Sequence, residues 1–345
     1  MSELPTEPPH RVLVTGAGGF IGRHLVADQL DRGREVVALD RDVSALRHLH
    51  GNRLRLVEGD VRDTPRIEGA VEGVDVVFHL AAAHLSVRAP ASEYREVNVD
   101  AVRSLISTSA AEGVRRFVHC STVGVYGRLA SVPADEDTAC APEFDYERTK
   151  LEGEGIVLEA FREGRISTVV LRPAWVYGPG CPRTDKLFRA IGSSRFVVAG
   201  RGEGLRHGVY IRDAVKALDL AAWAPDAAGE TIIIADDQAV TIRRLVNEIA
   251  RIEEVRPPRS VPFAALYMAG LAAELVFGIL RKEPPISRRT LRFFSGNTSF
   301  RTERARQILG FQARYPLPAG LEETARIRRR GDFWSVPLPD AAAGG

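Results

Sequence analysis

Tyr146 and Lys150, in the run Tyr-Glu-Arg-Thr-Lys, stand four residues apart. On a helix that spacing puts both side chains on one face. A phenol beside an ammonium is expected to titrate below its ordinary value of about 10. Tuned in that way, it can exchange a proton with an alcohol or ketone oxygen near neutral pH. The spacing is common by chance, but lysine is scarce here: the cations are nearly all Arg, and the lysines are Lys150, Lys186, Lys216 and Lys282. Ser121 and Thr122 follow the apolar run 116–120. A hydroxyl there can donate to a reacting oxygen and hold it beside the phenol. The competing reading of a single Ser or Thr is a turn residue or helix cap.

A second cluster has the chemistry of anion binding. Gly16, Gly19 and Gly22 lie in Thr-Gly-Ala-Gly-Gly-Phe-Ile-Gly, between the apolar run 11–15 and a helical pattern at 20–32. Small residues at this spacing allow a tight turn, close approach of a pyrophosphate and close packing of helix on strand, with the phosphates at a helix N-terminus. Phe20 and Ile21 belong to the same turn. Asp40 ends the next apolar run, about 18 residues past Gly22, where a carboxylate accepts ribose hydroxyls. It would repel a 2′-phosphate, so NAD is favoured over NADP. Arg41 beside it pulls the other way, because a guanidinium pairs with phosphate. Asp60 and Val61 follow the third apolar run, within reach of an adenine.

These residues need a scaffold. Apolar runs at 11–15, 35–39, 54–57, 75–80, 116–120 and 168–171 alternate with helical patterns at 20–32, 93–112 and 146–163. Continuous apolar strands between helices indicate an α/β fold: a Rossmann-type doubly wound parallel sheet covered on both faces. The alternation breaks after Pro173. We expect a polar leader at 1–10, a dinucleotide-binding domain at 11–173 with later contributions from about 205–235, an interleaved, mostly helical substrate lobe at 174–335, and a flexible tail at 336–345.

The stretches TGAGGFIG, GDV at 59–61, HLAAA at 79–83, NV at 98–99, RRFVHCSTVGVYG at 115–127, YERTK at 146–150 and LRPAWVYGPG at 171–180 together resemble the extended short-chain dehydrogenases/reductases of the NAD-dependent epimerase/dehydratase type. The resemblance runs through most of the chain. It implies hydride transfer between nicotinamide C4 and a secondary carbinol carbon. Tyr146 would carry the proton, Lys150 would tune it and hold the nicotinamide ribose, and Thr122, rather than Ser121, would orient the substrate oxygen. Leu80, Ala81 and Ala82 resemble the segment lying along the cofactor. Asn98 and Pro173 fall where the family approaches it. Relatives commonly dimerise through the helices that include the Tyr/Lys helix, so a homodimer is implied.

The sequence departs from the sugar-nucleotide dehydratase pattern: Val123 and Gly124 stand where an Asp and a Glu serve elimination, and neither can carry a proton. Dehydrogenation, reduction or epimerisation remain. Residues 263–280 are apolar apart from Glu274, short of the roughly 20 residues of a membrane span. They read first as a buried or pocket-lining helix, with peripheral membrane contact as the alternative. This stretch and Pro-Pro-Ile-Ser-Arg-Arg at 284–289 resemble the lid of 3β-hydroxysteroid-dehydrogenase-like relatives. The leading expectation is therefore an oxidoreductase acting on a steroid- or lipid-like small molecule. A sugar-nucleotide epimerase is the second reading, with Arg172, Arg206 and Arg212 as candidates for a diphosphate, and a non-catalytic NAD sensor is the third.

The 345 residues carry 47 Lys+Arg against 45 Asp+Glu, a formal charge of +2, which argues against a nucleic-acid binder. Cys120, Cys140 and Cys181 are too few and too scattered for a disulfide framework or a metal site, and suit a reducing, cytoplasmic compartment. No metal-ligand pattern emerges among the histidines. His79 and His119 read as core residues and His84 as a candidate to face substrate. The run 326–330 reads as the solvated end of a helix.

Overall fold

The computed structural model describes residues 10–49, 51–83, 90–279 and 296–331. The leader at 1–9, His84, the motif at 284–289 and the tail at 336–345 lie outside the described residues.

Six strands open the sheet: β1 (Arg11–Thr15), β2 (Glu35–Asp40), β3 (Leu54–Glu58), β4 (Val76–His79), β5 (Arg116–Cys120) and β6 (Thr168–Pro173). Four short strands follow: β7 (Trp175–Tyr177), β8 (Val197–Ala199), β9 (Leu205–Arg206) and β10 (Gly208–Tyr210). Then β11 (Thr231–Ile234) returns beside β6. The order is β11-β6-β5-β4-β1-β2-β3, parallel throughout. The strand order reverses between β1 and β4, and a crevice outside their carboxyl ends is the usual ligand site of such a sheet.

Helices α1 (Phe20–Asp31) and α7 (Ile211–Trp223) cover one face; α2 (Thr64–Val71), α4 (Ala101–Ala111) and α5 (Asp145–Arg162) cover the other. Side chains of a strand alternate between faces. Val12, Val14, Phe78, Val118 and Leu171 accordingly join Leu25 and Leu218 in one core, while Leu13, Val77, Phe117 and Val170 join Ile67, Leu105 and Val157 in the other. With both faces buried, the strands have no polar side, which is why they read as unbroken apolar runs.

The helical pattern at 93–112 resolves into three pieces. Helix α3 (Ala91–Arg95) runs into a π turn over Glu96–Asp100 before α4 begins. Helix α2, which periodicity did not reveal, starts where the Asp63 carboxylate accepts the Arg66 N–H, with a proline in its first turn. Beyond the sheet lie α6 (Pro182–Gly192), α8 (Ile242–Ile252), α9 (Phe263–Ile279), α10 (Glu303–Leu309) and α11 (Leu317–Arg330). Two further short strands, β12 (Val240–Thr241) and β13 (Arg259–Val261), pair with β9 and β8.

Two expectations change here. Helix α9 is not buried over the part where its side chains are described. Leu266 packs on Ala199, Val197 and Val261, while Phe263, Tyr267 and Met268 face outward, Met268 at 63% exposure. No helix among the described residues is long and apolar enough to cross a membrane. The run 326–330 is not simply solvated either: Arg328 pairs with Asp185 at 2.8 Å and Glu253 at 3.1 Å, and Arg329 donates to the Ile252 carbonyl.

Candidate functional site

The glycine turn is a cradle of backbone. Gly16 sits at φ +70°, and a Cβ there would lie 2.7 Å from the Ala81 nitrogen; a Cβ on Gly22 would lie 2.1 Å from the Gly16 oxygen. The start of α1 therefore packs on β1 and on the segment after β4 with nothing between them. Gly19 caps α1 with no side chain, so the amides of its first turn face the crevice without a built-in acceptor. At the tip of β2, the Asp40 carboxylate accepts the N–H of Gly18 at 3.0 Å and of Asp42 at 3.1 Å. A narrow all-backbone cradle with a carboxylate beside it fits a dinucleotide. Phe20 and Ile21 are half-buried at the start of α1, and Arg41 is exposed.

Other predicted cofactor residues are held by the protein itself. Asp60 accepts from the Arg62 backbone N–H at 2.9 Å and its guanidinium at 2.8 Å, which holds its carboxyl below the usual range. Val61 is buried. Asn98 lies in the π turn; its Oδ1 accepts from Ala83 N–H at 3.0 Å and its Nδ2 donates to Thr149 at 3.0 Å. It ties the loop after β4 to α5. A Cβ on Gly153 would lie 2.5 Å from the Asn98 carbonyl oxygen, so the bulging turn needs that glycine. Leu80, Ala81 and Ala82 are half-buried just past β4, with Ala81 N–H 3.3 Å from the Thr15 hydroxyl. Pro173 closes β6.

Tyr146 and Lys150 both belong to α5, in its first and second turns. Lys150 is 2% exposed; its ammonium donates to the Cys120 carbonyl at 2.8 Å and lies 3.4 Å from His119 Nε2. Thr122 stands two residues past the end of β5, and its Oγ1 accepts the Gly124 N–H at 3.0 Å. A Cβ on Gly124 would meet both Thr122 Oγ1 and the Glu147 side chain at 3.3 Å, so this turn lies against the start of α5. The end of β5 and the Tyr/Lys face of α5 are thus joined.

The electrostatics differ from the sequence expectation. Burial pushes the Tyr146 phenol up to about 12, with the Cys120 thiol adding to the rise and Arg183 opposing it. Lys150 is not what lowers it, because that ammonium is turned to the strand carbonyl. Burial also lowers Lys150. His119 is held well below its ordinary value by burial and then by Lys150, so it is neutral and its Nε2 lone pair can accept from the ammonium.

One turn beyond Lys150, Glu154 pairs with Arg172 of β6 at 2.6 Å, both buried, and Arg172 also donates to the Tyr126 hydroxyl at 2.7 Å. Arg172 is therefore not available for a substrate diphosphate. Arg212 is taken by Glu323 at 2.8 Å, and Arg206 by the Leu205 and Gly296 carbonyls. The sequence reading missed the roles of His119 and Glu154. Only Glu154 left a signal: it extends Tyr146 and Lys150 by a further four residues along one helix face.

A family model for the NAD dependent epimerase/dehydratase family matches residues 12–235, from the first strand of the sheet to just past its last. The chain belongs to this family. It is similar to a 2-alkyl-3-oxoalkanoate reductase of Stenotrophomonas maltophilia (strain K279a), at 30% identity over 90% of this chain and 97% of that protein. It is also similar to 3beta-hydroxysteroid-dehydrogenase/decarboxylase isoform 1 of Arabidopsis thaliana, at 26% identity over 92% of this chain and 80% of that protein. Among solved structures it resembles MoeE5 in complex with UDP-glucose and NAD, with a TM-score of 0.74 and 30% identity, covering 93% of this chain and 99% of that one. This epimerase/dehydratase-family protein is accordingly an enzyme of an NAD-dependent class whose members include reductases, steroid dehydrogenases and epimerases.

Proposed function

We propose that the protein moves a hydride between NAD and a secondary alcohol or ketone of an apolar, lipid-like substrate. The observation that carries this reading is the junction of α5 with the end of β5, where Lys150 donates to the Cys120 carbonyl two residues before Thr122. When bound, the nicotinamide supplies the hydride acceptor or donor. Tyr146 takes or gives the proton of the substrate oxygen, and Thr122 orients that oxygen through its hydroxyl hydrogen. Lys150 keeps two of its three donors within the protein, on the Cys120 carbonyl and His119, and the third would hold the nicotinamide ribose. The glycine cradle and the first turn of α1 would hold the pyrophosphate, and Asp40 would hold the adenosine ribose.

Two features support a lipid-like substrate. The relatives matched over at least four-fifths of their length include an oxoalkanoate reductase and a steroid dehydrogenase. The apolar helix α9 brings hydrophobic surface to the C-terminal lobe. A sugar-nucleotide epimerase is the second reading, favoured by the likeness to MoeE5, but Arg172 and Arg212 are already engaged by carboxylates. A homodimer and a cytoplasmic location remain part of the proposal. The test is turnover: NADH formation with 3-hydroxysteroids and 3-hydroxyalkanoates against a panel of UDP- and dTDP-sugars. Turnover confined to the sugars would refute the lipid reading.

A further inference from the structure

A row of polar side chains crosses the sheet beneath α5. Thr15 of β1, His79 of β4 and His119 of β5 stand side by side in register, and all three are fully buried. Two residues earlier on the same strands, Leu13, Val77 and Phe117 belong to the core under α5, so the row shares that face. The Thr15 hydroxyl oxygen lies 2.8 Å from His79 Nδ1 and accepts the Ala81 N–H at 3.3 Å. The His79 ring stacks on that of His119, with centroids 5.4 Å apart. The row ends at Lys150, whose ammonium lies 3.4 Å from His119 Nε2. A Cβ on Gly153 would lie 3.8 Å from the same nitrogen, so that edge of the imidazole is pressed against α5.

Packing alone does not account for two imidazoles here. His79 Nε2 and His119 Nδ1 have no partner among the described residues. An unpaired nitrogen in the core is a cost that an apolar ring avoids, as Phe117 does on the same face. What His119 supplies is an acceptor. Lys150 has three N–H donors; the Cys120 carbonyl takes one at 2.8 Å and His119 Nε2 takes a second. Among the described residues the ammonium has no other acceptor. The titratable groups around it are Cys120 and His119 on β5, His79 on β4, and Tyr146 and Glu154 one turn to either side on α5. Glu154 is spent on Arg172 of β6. With two bonds fixed, a tetrahedral ammonium has one direction left for its third hydrogen.

We propose that His119 is a positioning residue of the cofactor site: it accepts one Lys150 N–H and, with the Cys120 carbonyl, aims the remaining one at the nicotinamide ribose of NAD. This rests on the reading that Lys150 holds that ribose. His79 and Thr15 keep the imidazole in place. Thr15 immediately precedes Gly16, so the row ties the aim of the lysine to the glycine turn at the other end of the cofactor cleft. An acceptor at Nε2 also favours the charged ammonium over the neutral amine. His119 therefore sets both the affinity for NAD and the pH at which that affinity fades.

The experiment titrates NADH, read by its fluorescence, into the native enzyme, His119→Phe, His119→Gln and Lys150→Met between about pH 6 and pH 10, below the ordinary lysine value. His119→Phe keeps a ring and removes the acceptor. It should raise the Kd for NADH about tenfold at neutral pH and move the alkaline loss of binding about one pH unit lower. His119→Gln carries an amide oxygen to the position of Nε2 and should recover most of both effects. Native binding in His119→Phe, a Kd raised equally at every pH, or a Gln variant no better than the Phe variant overturns the proposal. Should His119→Phe fail to fold, His119→Gln is compared with His119→Asn, whose amide reaches only the position of Nδ1. Tighter binding by the Gln variant is then expected, and equal binding overturns the proposal. Lys150→Met separates the two readings. If it binds NADH as the native enzyme does, the ribose reading fails and the proposal with it. If it weakens binding while His119→Phe does not, only the proposal fails.

Discussion

Lys150 and His119 meet inside the protein, the ammonium 3.4 Å from the imidazole Nε2 and 2.8 Å from the adjoining Cys120 carbonyl. This contact joins the helix that carries Tyr146 to the strand that ends at Cys120, two residues before Thr122. With Nε2 accepting from Lys150, the His119 proton resides on Nδ1, which has no partner among the described residues. Replacing Lys150 by Met should leave a carbonyl and an imidazole nitrogen unpaired in the core. We expect turnover to fall by about 10²–10⁴ and the protein to lose about 1–3 kcal/mol. Steady-state kinetics together with urea denaturation check this, and a variant with native turnover would remove Lys150 from the mechanism.

Tyr146→Phe should keep the Kd for NAD within a few-fold and lower turnover by about 10²–10⁴. The pH profile gives a sharper test. With the phenol pushed up to about 12 by burial, it is protonated at neutral pH. Ketone reduction needs that protonated form and should be flat across neutral pH. Alcohol oxidation needs the phenolate, whose fraction grows tenfold per pH unit below its pKa, so oxidation should climb through the alkaline range. A flat oxidation profile would contradict the assignment.

The buried Arg172–Glu154 pair predicts a loss of stability rather than of substrate affinity. Removing one partner strands the other charge in the core, which costs about 3–5 kcal/mol. Arg172→Met should lower stability by that order in a denaturation experiment. A selective rise in KM for a sugar nucleotide, with stability unchanged, would return Arg172 to the substrate site.

Asp40→Ala should weaken NAD more than NADP, since only NAD offers a 2′-hydroxyl to the carboxylate. The same carboxylate accepts the Gly18 N–H, so binding of both cofactors should fall somewhat. Isothermal titration with the two cofactors measures the ratio. A native enzyme that prefers NADP would overturn the assignment.

Asp236 predicts a pH-dependent stability. Burial, and then the nearby Asp213, raise it to about 8, and its Oδ1 has no partner among the described residues. A carboxyl raised above its unfolded value of about 3.9 contributes stability that is fully present below that value and is lost as pH rises through the folded one. Asp236→Asn removes the buried ionisation. Its Tm relative to the native protein should therefore improve between pH 5 and pH 8, by about 2–4 °C for each kcal/mol regained. A pH-independent difference would show that Asp236 does not ionise in this window.

Local features were legible in the sequence for a physical reason. A parallel strand buried on both faces must be apolar along its whole length, so six of the seven sheet strands could be read from composition, and the seventh, Thr231–Ile234, falls within the later contribution expected from about 205–235. Gly16 and Gly22 mark the cradle because any side chain there collides with backbone. The four-residue step from Tyr146 to Lys150 sets a shared helix face without any tertiary information.

Tertiary packing decided the rest. The sequence placed an ammonium beside a phenol and implied that one tunes the other, whereas the fold turns Lys150 to Cys120 and lets burial act on Tyr146. It offered Arg172 and Arg212 as free cations, whereas distant carboxylates on α5 and α11 claim them. It read residues 263–280 first as a buried or pocket-lining helix, whereas the fold leaves Phe263 and Met268 outside. Charge pairing and desolvation depend on which groups meet in space, and one-dimensional spacing reports that only within a single helix or strand.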